Sequence, residues 1–405
     1  ANKLDSLGDF PIIKTTIADN YEAVKQASQR RPRNEVARFI IENLDSAYYF
    51  MSNTPPASNR LTKDCAALLK SRVALFEGTW EKYHKGTARV PGGPGWPGAQ
   101  KDYLKGFTID IDAEIKYFLG EAKKAAQIVA DNYQLYGNYP ALFNSNSLSS
   151  MPEALLWRAY DAKLTPSVNH FVVGYIQRNG GGNSGYTRSM INTYLMQNGL
   201  PIYAAGPDYK GDRTYQDVID GRDPRLAYNT LVPGDMLTEK AGMTEAIIDG
   251  AGYYYRAPIT EMDENRCPTG YSIKKGLTTD PSQGPTLPAT TACVIFRAAE
   301  AYLNYMEADY ELNRSLDANS QRYWKAIRER AGMDTDYEKT IRNTDLTKEI
   351  DLARYSGNDL VDATLYNIRR ERRVELAAEG FRLRDLRRWC ALDKMQNYQV
   401  EGFNL

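Results

Sequence analysis

Apolar side chains recur at helical spacing in two blocks of this chain and lose that rhythm between them. In the first block Val36, Ile40, Leu44 and Ala47 fall at steps of four and three, which predicts a helix from Arg33 to Met51 with Pro32 at its entrance. The tract SNTPPASN breaks it. Thr62 then suits an N-cap for a second helix carrying Ala66, Leu69, Val73, Phe76 and Trp80, and the two should close into a helical hairpin. A third helix is predicted from Thr108 to about Tyr133, with Ile111, Ile115, Phe118, Ala122, Ala126 and Val129 facing inward. In the second block, helix is expected to return at Thr290, placing Ile295, Ala298, Ala299, Tyr302, Met306 and Leu312 on one face. Asp317 caps the next helix, and Gly332 stands where a C-terminal cap belongs.

Between the blocks the pattern dissolves. Residues 86–107 are dense in Pro and Gly, which predicts a protruding loop with Trp96 at its tip. Residues 134–289 are rich in Gly, Pro, Asn, Ser and Tyr, with short elements only: the segment MPEALLWRAYD, a helix in SMINTYLMQNG, an Asp-Pro turn in GRDPRL and a strand-like AYNTLV. The predicted fold class is mostly α, a tetratricopeptide-like helical-hairpin scaffold with a large irregular, loop-rich binding face and a few short strands. Length alone suggests two or three domains, and the pattern places a helical scaffold at 33–82, 108–133, 290–332 and 362–391 and a ligand-facing part at 86–107 and 134–289.

The stretch Leu365–Trp389 departs from ordinary amphipathic patterning. It reads as one helix ending near Gly380 and a second, shorter one starting at once; Leu365 and Ile368 open an apolar stripe, but its continuation meets Arg372, Glu375 and Glu379, with Arg382 and Asp385 just beyond Gly380. Charges on a poorly hydrated face must pair and hydrogen-bond, so an ionic corner between two helices is expected, with Leu383, Leu386 and Cys390 resuming helical spacing after it. A solvated Arg-rich helix is the competing reading of the periodicity. Eight Arg alternate here with Glu371, Glu375, Glu379 and Asp385 in a chain of zero net charge, which argues against a nucleic-acid surface.

Composition adds mainly tyrosine, 29 residues spread along the chain and suited to half-buried recognition surfaces. The four cysteines form no CxxC pair, so a disulfide framework or zinc site is not expected. Asp110, Asp112 and Glu114 could suggest calcium, but acids in a first helical turn are favoured by the helix dipole in any case. The NGGGNSG run lacks the Lys-Ser/Thr of a phosphate loop. No run of eighteen apolar residues and no signal-peptide pattern occurs. His84 and His170 have no HExxH, zinc spacing or nucleophile elbow to recruit them, and no carboxylate pair stands out, so no catalytic residue, metal or cofactor is expected.

The string Glu371, Arg372, Glu375, Leu376, Glu379, Gly380, Arg382, Asp385, Leu386 and Arg388 resembles the hallmark of the SusD/RagB family of nutrient-binding outer-membrane lipoproteins. FRAAEAYLNYMEADYELN, WKAIRERAGM, GDFPI and PRNEVARFIIENLDSA are similar to the family as well. The resemblance implies a single α-rich domain over 1–405 with four tetratricopeptide-like helix pairs, in a surface-exposed, lipid-anchored protein of the outer membrane. It implies a lid on a SusC-like TonB-dependent transporter that captures oligosaccharides, or in some members peptides. It also implies segments beyond both ends of this chain, the lipidated cysteine among them. Loop placement and residue type nominate Trp96, Trp157, Tyr186 and Tyr254 as sugar-stacking platforms, with Asn183 and Arg188 as polar partners. Each platform would contribute about 0.5–1.5 kcal/mol beyond burial, giving micromolar to millimolar capture. A peptide-gripping scaffold is the alternative function.

Overall fold

A computed structural model describes residues 1–53, 59–161, 163, 184–239, 252–254, 259, 267–283, 289–396 and 398–403. Seven helices build its frame: α1 (Arg33–Phe50), α2 (Lys63–His84), α3 (Ile111–Asn132), α4 (Ala298–Asn313), α5 (Ala318–Ala331), α6 (Ala363–Glu375) and α7 (Arg382–Arg388). The hydroxyl of Thr62 accepts from the Cys65 amide at the start of α2, and α3 begins at Ile111 rather than at Thr108, with Asp110 as its cap. Helix α2 packs against α1, α3 and α4, and α4 also contacts α3, α5 and α6. Being surrounded explains why α2 buries residues all round its circumference, charged ones included.

Helices α2 and α3 approach closely at Gly78, where an added Cβ would lie 2.9 Å from Leu119 Cγ. The largest apolar cluster joins Leu68, Val129, Leu303, Met306, Trp324, Ile327, Leu365 and Ile368 from α2 to α6. At the turn between α4 and α5, Asp317 accepts from the Ser320 amide, and Gly332 ends α5 in the left-handed region at φ 74.

Among the described residues six short strands pair antiparallel in twos: β1 (Ala154–Arg158) with β4 (Cys293–Arg297), β2 (Met236–Glu239) with β3 (Gly252–Tyr254), and β5 (Tyr355–Ser356) with β6 (Asp359–Leu360). Three expectations are corrected. Helix does not return at Thr290: the β-branched and aromatic run in Cys293–Arg297 forms β4 first, leaving Ile295 exposed. Just ahead of AYNTLV, Asp223 accepts from the Arg225 amide and Pro224 takes the first helical position, so the helix Pro224–Asn229 takes in Ala227, Tyr228 and Asn229 of the segment expected to be strand-like. Helix α6 ends at Glu375, not near Gly380. Ala378 and Gly380 then take φ 60 and 81 in the link, Leu383 is exposed, and Cys390 lies past α7 at φ 53.

Candidate functional site

The link from α6 to α7 meets the irregular region through buried charge. Glu375 takes Arg297 Nη1 at 2.6 Å and Arg330 on one oxygen, and Arg225 Nη1 at 3.0 Å on the other. Glu371 accepts from Arg225 at 2.7 Å, from the Trp324 indole at 3.0 Å and from Arg328 at 3.3 Å. Glu379 holds Arg297 through two bonds of 2.8 and 2.7 Å and Lys275 at 2.6 Å. Glu153, next to β1, receives Arg297 at 2.8 Å and Arg330 at 3.0 Å. With Asp223 on Arg225, the network joins five cations (Arg225, Lys275, Arg297, Arg328, Arg330) to five carboxylates (Glu153, Asp223, Glu371, Glu375, Glu379).

Arg372 turns the other way. Its Nε donates to Asp385 at 2.8 Å and its Nη1 to Asn304 at 2.7 Å, while Arg388 bridges Asp385 to Glu307. Asp351 receives both Arg373, at 2.6 Å, and Arg382. Burial alone would push the Glu375 carboxyl up, but Arg330, Arg297 and Arg225 outweigh it and hold it well below the usual range. Glu371, Glu379 and Asp385 are lowered by the same contest, in which burial raises and the arginines win. Burial pushes the Lys275 ammonium down to about 8 against the pull of Glu379. Every charge in this set has a partner, and its role is to lock elements together: β1, β4, α5, α6 and the segments around Arg225 and Lys275 all meet here.

The nominated stacking residues lie in separate places. Trp96 does not stand at a loop tip. Only 4% of it is exposed, its indole donates to Asp9 Oδ2 at 2.9 Å, it packs on Phe107, and Gly98 lies so close that a Cβ there would overlap the ring. Trp157, 7% exposed, faces Leu142, Leu148, Met151 and Ala292 from β1. Tyr186, 8% exposed, packs with Met190, Tyr194 and Val374, and its amide donates to Tyr271 O at 2.8 Å. These three rings are packed in different clusters and do not line one arc. Arg188 donates to Gly402 O at 2.9 Å and pairs with Asp212, tying the start of a short helix to the C-terminal segment. Tyr254 pairs with Met236 through the backbone of β3, while its side chain and Asn183 lie outside the described residues.

Among the described residues no three His, Cys, Asp or Glu side chains gather as a metal site. Asp110 caps α3, Asp112 pairs with Lys85 at 2.7 Å and Glu114 with Arg38 at 2.7 Å. Periodicity passed over the partners of the corner, since Arg225, Arg297 and Glu153 stand singly in unremarkable segments. It also passed over Tyr228, a ring 45% exposed that lies 6.4 Å from the Tyr139 ring. The signal was its position: Tyr228 follows an Asp-Pro helix start within the irregular region.

Helix pairs welded by buried ion networks to an irregular, aromatic-rich flank define the class of protein as a mostly helical scaffold. The SusD family model matches residues 149–405, and the chain belongs to that family. Its fold is similar to a solved SusD-like protein of Bacteroides fragilis, with 22% identity and TM-score 0.61 over 96% of this chain and 65% of the other. A SusD-like carbohydrate binding protein of the same organism aligns with 16% identity and TM-score 0.62 over 99% and 66%. A third structure, solved with xylogluco-oligosaccharide, aligns with 20% identity and TM-score 0.58 over 98% and 64%. The chain thus spans about two thirds of the length of these relatives, slightly less in each case. A search among curated proteins finds no match to this chain. Among the described residues no helix is long and apolar enough to cross a membrane.

Proposed function

We propose that the chain is the glycan-capturing part of a cell-surface lipoprotein, binding oligosaccharides without turning them over and passing them to a SusC-like TonB-dependent transporter in the outer membrane. The observation that carries this reading is membership of the SusD family across residues 149–405. The similarity in fold to a structure solved with xylogluco-oligosaccharide supports a sugar as the cargo. The ligand face is assigned to the irregular region 134–289, with aromatic rings stacking on the C–H faces of sugars and polar side chains on their hydroxyls. Of the nominated residues, Arg188 is assigned to that face, and Tyr228 joins it as an exposed ring; Asn183 and the Tyr254 side chain, nominated from the sequence, lie outside the described residues. Trp96, Trp157 and Tyr186 are packed and stand outside the proposed stacking set.

The test is calorimetry of the purified chain against a panel of neutral oligosaccharides and peptides, with chromatography of the ligand afterwards. Binding of at least one glycan at micromolar to millimolar Kd, weakened about tenfold by Tyr228→Ala, with the glycan recovered intact, is the expected result. Tight peptide binding with no glycan response, or cleaved sugar, overturns the proposal.

A further inference from the structure

A cavity of about 600 Å³ opens between residues 5–9, residues 28–33 and the loop 88–104, on segments other than the proposed glycan face. That volume suits a ligand of one or a few sugar rings. Its lining carries four cations, Arg30, Arg33, Arg89 and Lys101, against two carboxylates, Asp5 and Asp9.

Most of these charges are already committed. Arg33 gives two bonds, of 2.7 and 2.8 Å, to Glu77, and Arg89 reaches Asp393 at 3.2 Å. Asp5 pairs with Arg384 at 2.7 Å, and Asp9 accepts from the Trp96 indole and the Arg33 amide, both at 2.9 Å. What remains is Arg30 and Lys101, two exposed side chains for which no protein hydrogen bond or ion pair is present among the described residues. Tyr103, 37% exposed, adds a ring and a hydroxyl to the same lining. A pocket with both acids spent and two cations uncommitted selects for negative charge, and the guanidinium is the better fork for a planar or tetrahedral oxyanion.

We propose that this cavity is a second saccharide subsite, for a sugar bearing a carboxylate or a sulfate ester, gripped by Arg30 and Lys101 with Tyr103 against its ring. The negative charge is argued from the cavity alone; that the ligand is a saccharide rests on the function proposed above.

The experiment is calorimetry of the full chain with tri-galacturonate, a sulfated disaccharide, a neutral xylogluco-oligosaccharide and sodium sulfate, repeated on Arg30→Ala/Lys101→Ala. Both side chains are exposed, so the double variant should keep the parent's melting temperature. The expected result is that one acidic saccharide binds at least tenfold more tightly than the neutral one at low salt. That advantage disappears in the double variant and shrinks at about 0.5 M salt, while the affinity for the neutral sugar is unchanged. A carboxylate preference or a sulfate preference decides between the two sources of charge. Neutral sugar binding with no acidic preference, or an acidic preference untouched by the double variant, overturns the inference and leaves the proposed function standing. Sodium sulfate binding as tightly as either saccharide overturns the saccharide assignment of this cavity. No glycan binding of any kind overturns both.

Discussion

Replacing Glu375 by glutamine changes almost no volume and removes one charge from the densest part of the corner. The carboxylate is fully buried and receives Arg297, Arg330 and Arg225 on its two oxygens. In the variant the amide oxygen can still accept, but the NH₂ group is a donor set among guanidinium donors. The network falls from five cations and five carboxylates to five and four. Removing one member of a buried pair costs about 3–5 kcal/mol because the partner charge is left without compensation. Against a typical total stability of about 5–15 kcal/mol, that is a large fraction. Urea denaturation followed by circular dichroism should show the loss, with little dependence on salt since the site is buried. Adding Arg225→Met returns the network to four against four. The double variant should therefore be less destabilised than the two single losses summed. A Glu375→Gln protein within about 1 kcal/mol of the parent would refute the reasoning, which makes compensation of buried charge the cause of the effect.

Three further outcomes test the frame. Gly78→Ala forces a methyl against Leu119 at 2.9 Å and should cost about 1–3 kcal/mol in a thermal melt; a neutral result would mean that α2 and α3 separate freely. Asp317→Ala removes the cap of α5 and the acceptor of the Tyr305 hydroxyl at 2.7 Å, and should lower stability by about 1–2 kcal/mol, with an unchanged urea midpoint counting against it. Acid should destabilise in two stages. Burial pushes the His84 ring down to about 4, so below about pH 6.5 the unfolded chain takes up a proton that the folded one refuses. The lowered Glu371, Glu375, Glu379 and Asp385 contribute stability that is present above their unfolded values and is lost as pH falls below about 4. A flat stability profile from pH 7 to 3 contradicts both stages.

The long helices were legible because their apolar residues repeat at three and four over many turns, as in α2 and α3. Asp317 and Gly332 marked their boundaries through capping chemistry that is local. Cys293–Arg297 was misread because a short apolar run fits strand and helix equally, and its pairing with β1 across more than a hundred residues decided the matter. The charged face of α6 could be seen, yet its partners could not. Arg225 and Arg297 carry no local mark, and only tertiary packing brings them to Glu371, Glu375 and Glu379. The aromatic nominations suffered from the reverse difficulty. Residue type shows that a ring can stack on a sugar, but not whether it is spent on the core, as Trp96 is on Asp9 and Phe107. Pro and Gly predicted an irregular loop correctly at 86–107, and the same residues let that loop fold back over its own tryptophan.

The most direct test of the account is a crystal structure of the chain soaked with the tightest oligosaccharide from the panel. The account predicts an intact sugar on the irregular face between residues 134 and 289, with at least one tyrosine ring against it and the ion network at Glu375 unmoved. A sugar seated on the helix pairs, a hydrolysed product, or a face that stays bare at saturating ligand would contradict it.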